Sequence, residues 1–308
     1  MIAVSFSAYG PPDVLELAEV AEPHAGPGQV RIAVRAAGVN IGDCNLRAGR
    51  LKEFVPLTLP HVTGIDAAGI VDEIGAGVTD VRPGDAVFGW TDVSRLGGAV
   101  AGYAVLTAWA AKPAELSWEE AGGAAANVET ATRALDRLGV GPGTTLLVEG
   151  AAGGVGTVAV QLARARGATV VGTARTVNHD FLQGLGAVPV TYGEGLAERV
   201  AVPVDAVLDC AGSGSLPDLV AIAGGPERVV TIADARAEAY GVEFSRIAGP
   251  RANAEPALYG LAVAADLARE GRFAIPLAGA YPLAEAAEAH RLSESGHARG
   301  KVVLRVGA

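Results

Sequence analysis

Between Glu149 and Gly156 the chain reads EGAAGGVG, a run of small residues where an apolar stretch, TLLVE, gives way to a helical segment. A turn this free of side chains lets backbone amides close on an anion at a helix N-terminus, where the unsatisfied N–H groups amount to roughly +0.5 charge. Ala151, Gly153 and Gly156 fall on the three positions of a G-x-G-x-x-G pattern, with alanine replacing the first glycine and Gly154 and Val155 between the other two. The same residues would also serve close strand-to-helix packing alone. The strand before and the helix after favour the diphosphate of a dinucleotide, held by two or three charge-assisted hydrogen bonds of about 1.5–3 kcal/mol each. In that helix Thr157, Gln161 and Arg164 form a polar stripe among Val155, Val158, Ala159, Val160, Leu162 and Ala163, so only this narrow face is expected to meet solvent.

At the end of the next apolar run stand Gly172, Thr173, Ala174 and Arg175, with no acid. A carboxylate there would bind the ribose hydroxyls of NADH and repel a 2′-phosphate, whereas an arginine offers a planar fork of donors to that phosphate. NADPH is therefore favoured over NADH; the plainer reading of Arg175 is a solvated side chain on a strand-to-helix turn.

The elements that hold these residues are legible in outline. From Met1 to about Pro113, short β-rich runs (IAVSFSAYG, VLELAEV, QVRIAVRAAGV, AAGIVDEIGAGV, GDAVFGW, GYAVLTAWAA) are broken by Gly, Pro and Asp, as in an antiparallel barrel or sandwich. Ser117 then caps an expected helix with Glu119 and Glu120 in its first turn. From there to about Gly249 apolar strands alternate with helices, which reads as an α/β, doubly wound parallel sheet covered on both faces. The tail ends in the strand-like KVVLRV. The expected order is 1–117 as one domain, 118–248 as an inserted dinucleotide-binding domain, and 249–308 as a return to the first.

Composition agrees with this and excludes other classes. The 308 residues are 50% hydrophobic and 19% charged with a net charge of −10, which suits a soluble globular chain with two modest cores. No basic cluster is present to neutralise phosphates along a duplex, so nucleic acid is not an expected partner. The longest uncharged stretch, Leu96 to Ala111, has 16 residues, short of the roughly 18–20 a bilayer span needs. The first charge is Asp13 and no basic segment precedes an apolar run, so no secretory signal is read and a cytoplasmic location is expected. Cys44 and Cys210 cannot make a disulfide framework or a four-thiolate zinc site, and the histidines show no paired ligand spacing. Cys44 is expected to be buried rather than reactive.

Taken in order, AAGVNIGDCNLRAG (36–49), GIDAAGIVDEIGAGV (64–78), RPGDAVFG (82–89), EGAAGGVG (149–156), DAVLDCAG (205–212), YPLAEAAEAH and GKVVL make the chain resemble the medium-chain dehydrogenase/reductase superfamily, in its zinc-independent quinone oxidoreductase group. The resemblance implies a GroES-like barrel built from both chain ends and an inserted Rossmann domain. It places Asn40 beside the nicotinamide and substrate carbonyl, Thr130 near the cofactor and Tyr192 near the adenosine phosphate, with Cys210, Ala211, Ile232 and Ala233 lining the cofactor cleft. Zinc-dependent members carry a cysteine where this chain has Asn40, and a Gly-His-Glu motif where it has Gly64, Ile65 and Asp66; an amide and an alkyl chain are not zinc ligands. Without a Lewis acid, hydride transfer suits an acceptor whose conjugation spreads the developing charge.

The expectation is therefore an NADPH-dependent, metal-free reductase of a small-molecule quinone or α,β-unsaturated carbonyl. Open beside it are a pathway-specific enoyl or ketone reductase and a dinucleotide-binding protein with little turnover. Asn40 can instead simply cap a turn, Asp43 and Arg47 are read as a local ion pair, and Tyr192 as a core or surface tyrosine. Relatives often carry a tyrosine where this chain has Arg50 and Leu51, which leaves the proton source open, and a lysine near Asn178 and His179, whose absence leaves phosphate recognition mainly to Arg175. The resemblance also implies a homodimer formed through the Rossmann sheet edge, for which RVVTIAD is the candidate strand.

Overall fold

The computed structural model describes residues 1–92, 95–247 and 252–307. Two compact units divide the chain, one built from residues 1–126 together with the C-terminal segment from 258, the other from 127–247 with the short segment that ends at 257.

The first unit begins with β1 (Ile2–Phe6), β2 (Glu16–Glu19), β3 (Val30–Val39), α1 (Ile41–Arg47), β4 (His61–Val62), β5 (Asp66–Ile74), β6 (Ala86–Thr91), β7 (Tyr103–Ala111) and α2 (Trp118–Gly122). Strand β3 organises it. Its sequence alternates, so Val30, Ile32 and Val34 point inward while Arg31, Ala33 and Arg35 are only partly covered. β3 pairs antiparallel with β5 along its length and with β7 along its first half, and β6 joins β5 to β7. The four strands thus close on themselves around Val30, Ile32, Val34, Val71, Val87 and Leu106, with the second half of β3 left to pair with the C-terminal strand. Ser117 caps α2 as its sequence requires: the Glu120 amide donates to Ser117 Oγ at 3.1 Å and the Ser117 amide to Glu120 Oε2 at 2.8 Å. The unit continues to Ala126, past the break expected at Ser117, because α2 packs on β3 and β5 with Ala121 and Gly122 buried. The return expected at 248/249 falls on residues outside those described.

The chain then runs through α3 (Ala125–Arg137), β8 (Thr145–Glu149), α4 (Gly154–Ala165), β9 (Thr169–Thr173), α5 (His179–Gly184), β10 (Val188–Val190), α6 (Leu196–Arg199), β11 (Ala206–Asp209), α7 (Leu216–Ala223), β12 (Val229–Thr231) and β13 (Glu243–Phe244). These six strands form one parallel sheet in the order β10-β9-β8-β11-β12-β13. Leu146, Leu147, Val207 and Leu208 are fully buried in it, as near-continuous apolar strands covered on both faces must be. RVVTIAD is not the edge: β12 is flanked by β11 and by the two-residue β13, a strand too short and too polar to announce itself in the sequence. The order reverses between β8 and β11, the switch point outside whose carboxyl ends ligands bind in such sheets.

The C-terminal segment returns to the first unit as α8 (Gly260–Arg269), β14 (Leu277–Pro282), α9 (Ala286–Glu294) and β15 (Lys301–Arg305). β15 lies antiparallel to β3, with Val302 opposite Val39, and parallel to β14. The chain is thus α/β, a doubly wound parallel sheet inserted into a barrel-forming unit. Among the described residues no helix is long and apolar enough to cross a membrane.

Candidate functional site

The glycine-rich turn lies at the switch point. β8 ends at Glu149, Gly150 turns with φ +75°, and Gly153 stands in extended conformation as the N-cap of α4. The turn is closed by its own hydrogen bonds, Ala151 N–H to Thr173 O at 3.1 Å and Gly153 N–H to Gly150 O at 3.0 Å. The first intrahelical bond of α4 is made by Thr157 N–H to Gly153 O, so the amides of Gly154, Val155 and Gly156 are the orphan donors of the helix start. Ala151 and Gly156 are buried, and Gly153, Gly154 and Val155 are half-buried. A Cβ on Gly156 would lie 2.3 Å from Gly150 O and 2.8 Å from Ala151 Cα, so only glycine lets the helix come this close to the turn. The expected exposed stripe on α4 is a correction. Thr157 and Gln161 are buried, their side chains donating to Gly154 O and Thr157 O at 3.0 Å, and of the three only Arg164 is exposed.

Two acids that the sequence reading passed over sit side by side at the strand ends, Glu149 opposite Asp209 in the β8–β11 register. Glu149 accepts from Thr173 Oγ1 at 2.7 Å, and burial, with the charge of Asp209 adding, raises its carboxyl above the usual range. Thr173 is fully buried and its hydroxyl also receives the Gly150 amide at 3.0 Å, so it braces the turn. Asp209 accepts the amides of Ala211 and Gly212 at 2.9 and 3.0 Å and the Thr231 hydroxyl at 2.7 Å. Thr231 Oγ1 in turn takes the amide of Ala233, and the Ile232 amide goes to Asp209 O. Ala211 and Ala233 therefore present exposed methyls rather than donors, beside half-buried Cys210 and Ile232. Thr130 is half-buried on α3 and its hydroxyl donates to Glu129 at 3.3 Å. Arg175 lies two residues past the end of β9, exposed, and pairs with no carboxylate among the described residues. Tyr192 lies beyond β10, half exposed.

Within the first unit, Asn40 is the N-cap of α1 and stands at the centre of a polar cluster. Its amide N–H goes to Asp43 Oδ2 at 2.8 Å, its Nδ2 donates to Asp66 Oδ1 at 2.8 Å, and Lys301 Nζ donates to its Oδ1 at 2.5 Å. Lys301 also reaches Asp66 Oδ2 at 3.4 Å, an oxygen that accepts the Ala126 amide at the start of α3. Asp43, Asp66 and Lys301 are buried, while Asn40 is only half-buried. Lys301 was not singled out from the sequence; its trace there was a charge opening the apolar run 302–304.

Family models match this geometry in both parts of the chain: an alcohol dehydrogenase GroES-like domain over residues 26–116 and a zinc-binding dehydrogenase over 184–304. The chain is 30% identical to the chloroplastic quinone-oxidoreductase QR1 of Triphysaria versicolor over 99% of its own length and 98% of that protein's. The chain belongs to the medium-chain dehydrogenase/reductase superfamily, in its zinc-independent quinone oxidoreductase group. The solved quinone oxidoreductase from Coxiella burnetii superposes on this family member with a TM-score of 0.84 at 31% identity, covering 100% of this chain and 99% of that one. A mycobacterial protein, Rv1454c, solved in complex with NADPH, gives 0.80 at 27% identity over 99% of both chains. A 2-methylene-furan-3-one reductase from Solanum lycopersicum is 35% identical over 242 residues; that match spans 62% of its length.

The catalytic zinc of other superfamily members does not fit this chain. At the corresponding positions Ile65 offers no donor atom, the Asn40 amide and Asp66 are bonded to each other, and Lys301 places an ammonium among them, which repels a divalent cation. The diphosphate of a nicotinamide dinucleotide does fit the α4 N-terminus, where the amides of Gly154, Val155 and Gly156 precede the first intrahelical hydrogen bond. The expected Asp43–Arg47 pair is absent: Arg47 donates to Glu294 at 2.7 Å, and Asp43 is spent on the Asn40 amide. Cys44 is buried 3.4 Å from His290 Nδ1, its thiol pushed up to about 12 and the imidazole down to about 4 by burial, so the two stay neutral and do not form a thiolate–imidazolium dyad.

Proposed function

We propose that this chain is an NADPH-dependent oxidoreductase that delivers hydride to a quinone or an α,β-unsaturated carbonyl. The observation that carries the reading is the end of the parallel sheet, where the amides at the α4 N-terminus and the exposed guanidinium of Arg175, unpaired among the described residues, stand beyond the ends of adjacent strands, β8 and β9. Gly154, Val155 and Gly156 would hold the diphosphate, and Arg175 the 2′-phosphate that distinguishes NADPH from NADH. When bound, the reduced nicotinamide supplies the hydride. Asn40 keeps one N–H of its carboxamide for the acceptor oxygen, and the conjugation of a quinone or enone lets such a donor suffice where an isolated ketone would need a metal. The quinone and alkenone reductases among its relatives support this choice of acceptor.

The test is the loss of NADPH absorbance against a panel of quinones and enones. Turnover with at least one acceptor of these classes is expected. Protein that binds NADPH yet oxidises it no faster than buffer, whatever the acceptor, would show the binding role alone and sink the catalytic one.

A further inference from the structure

We propose that Lys301 is a positioning residue for Asn40: its ammonium, acting with Asp66, fixes which way the Asn40 carboxamide faces and leaves one defined N–H as the donor of the site. The inference rests on the reading that Asn40 serves the acceptor oxygen, but its structural half can be tested without turnover.

An ammonium can only donate and a carboxylate can only accept. Asn40 Oδ1 must therefore face Lys301 and Nδ2 must face Asp66, as the distances of 2.5 and 2.8 Å have it. A flipped amide would set NH2 against ammonium and carbonyl against carboxylate, losing both bonds and creating two repulsions. Of the two Nδ2 hydrogens one is spent on Asp66, and the other is left on the least buried member of the cluster. Lys301 on the carbonyl oxygen also draws electron density from the amide, which strengthens donation from the remaining N–H.

The fold makes deliberate room for this lysine. β15 runs antiparallel to β3 with Val302 opposite Val39, so Lys301 falls level with Asn40, and Asp66 begins β5 on the other side of β3. A Cβ on Gly38 would lie 2.5 Å from Asp66 Oδ1 and 2.8 Å from Lys301 Cε; one on Gly123 would lie 2.6 Å from Lys301 Cγ. Two glycines thus clear the path of a side chain that is 3% exposed. A buried lysine joined to an amide and a carboxylate is costly as mere filling, since an apolar side chain of the same volume would serve packing at least as well.

The experiment compares Lys301→Met, the charge-balanced double variant Lys301→Met/Asp66→Asn, Asn40→Ala and the triple combination. The double variant leaves no lone buried charge and so guards against simple misfolding of the single one. With 15N-labelled asparagine, the Asn40 side-chain amide, assigned by its disappearance in Asn40→Ala, should give two well-separated protons in the native protein; in the folded double variant it should move and exchange faster with solvent. In turnover, the double variant should lose about 10- to 100-fold in kcat, the scale of one charge-assisted hydrogen bond, with NADPH affinity unchanged and with no further loss on adding Asn40→Ala. An unmoved amide signal in the folded double variant overturns the proposal even if no acceptor is ever found. Native kcat in the double variant alongside a loss in Asn40→Ala overturns it while leaving the proposed function standing. Native kcat in Asn40→Ala overturns both the donor role and the positioning of it.

Discussion

On the proposed reading, Arg175 and the α4 amides would divide the recognition of a dinucleotide between a side chain and the backbone, and the two can be separated by mutation. Replacing Arg175 removes a planar donor fork from an exposed position that pairs with no acid among the described residues, so the fold should not notice. Arg175→Ala is expected to weaken NADPH about 10- to 100-fold and NADH hardly at all, by fluorescence titration of both. Equal losses for the two nucleotides would refute the phosphate role. At this scale the sequence was most legible where close approach demands the absence of a side chain, as at Gly156. It was least legible where a polar residue does its work through a partner far along the chain. Lys301 is the example: its meaning lies in a contact that no spacing in the sequence announces.

At the scale of elements, the strand–turn–helix of β8 and α4 depends on how near the helix can come. Gly156→Ala would push a methyl into the Gly150 and Ala151 backbone, which cannot swing aside as a side-chain tip can. A cost of about 1–3 kcal/mol in denaturant unfolding is expected, with weakened NADPH binding. Gly141→Ala, where nothing lies within 4 Å, should be near neutral. Comparable losses in both would mean that glycine flexibility, not close approach, is what matters. The capped start of α2 could be read from Ser117 and Glu120 because a capping box is purely local. The edge of the parallel sheet could not, since β13 is two residues long and its pairing with β12 is decided by tertiary packing.

For the whole molecule, the alternation of short β runs with strand–helix units was enough to give the inserted order of the two units, because those periods follow from the layers themselves. What they could not give is the balance of buried charge in the first unit. Burial pushes Asp43 up to about 6 and His290 down to about 4. The raised Asp43 contributes stability that is present below about pH 4 and lost as pH rises through 6. The depressed His290 contributes stability present above about pH 6.5 and lost as pH falls towards 4. Their slopes oppose each other between about pH 4 and 6, each worth on the order of 3 kcal/mol, so the native protein should show a shallow acid profile there. Asp43→Asn should unmask the histidine, making stability climb with pH across that window, and His290→Gln should tilt it the other way. Denaturant midpoints at pH 4, 5, 6 and 7 that run parallel in all three proteins would contradict this.

The pairing of β15 with β3 also has a bearing on how the molecule comes into being. Asn40 waits for a partner 261 residues downstream, so a ribosome must first deliver the entire parallel sheet before Lys301 emerges. Until then one flank of β3 lacks its neighbour, and the nascent barrel carries an open seam and an asparagine whose amide has not yet been told which way to face.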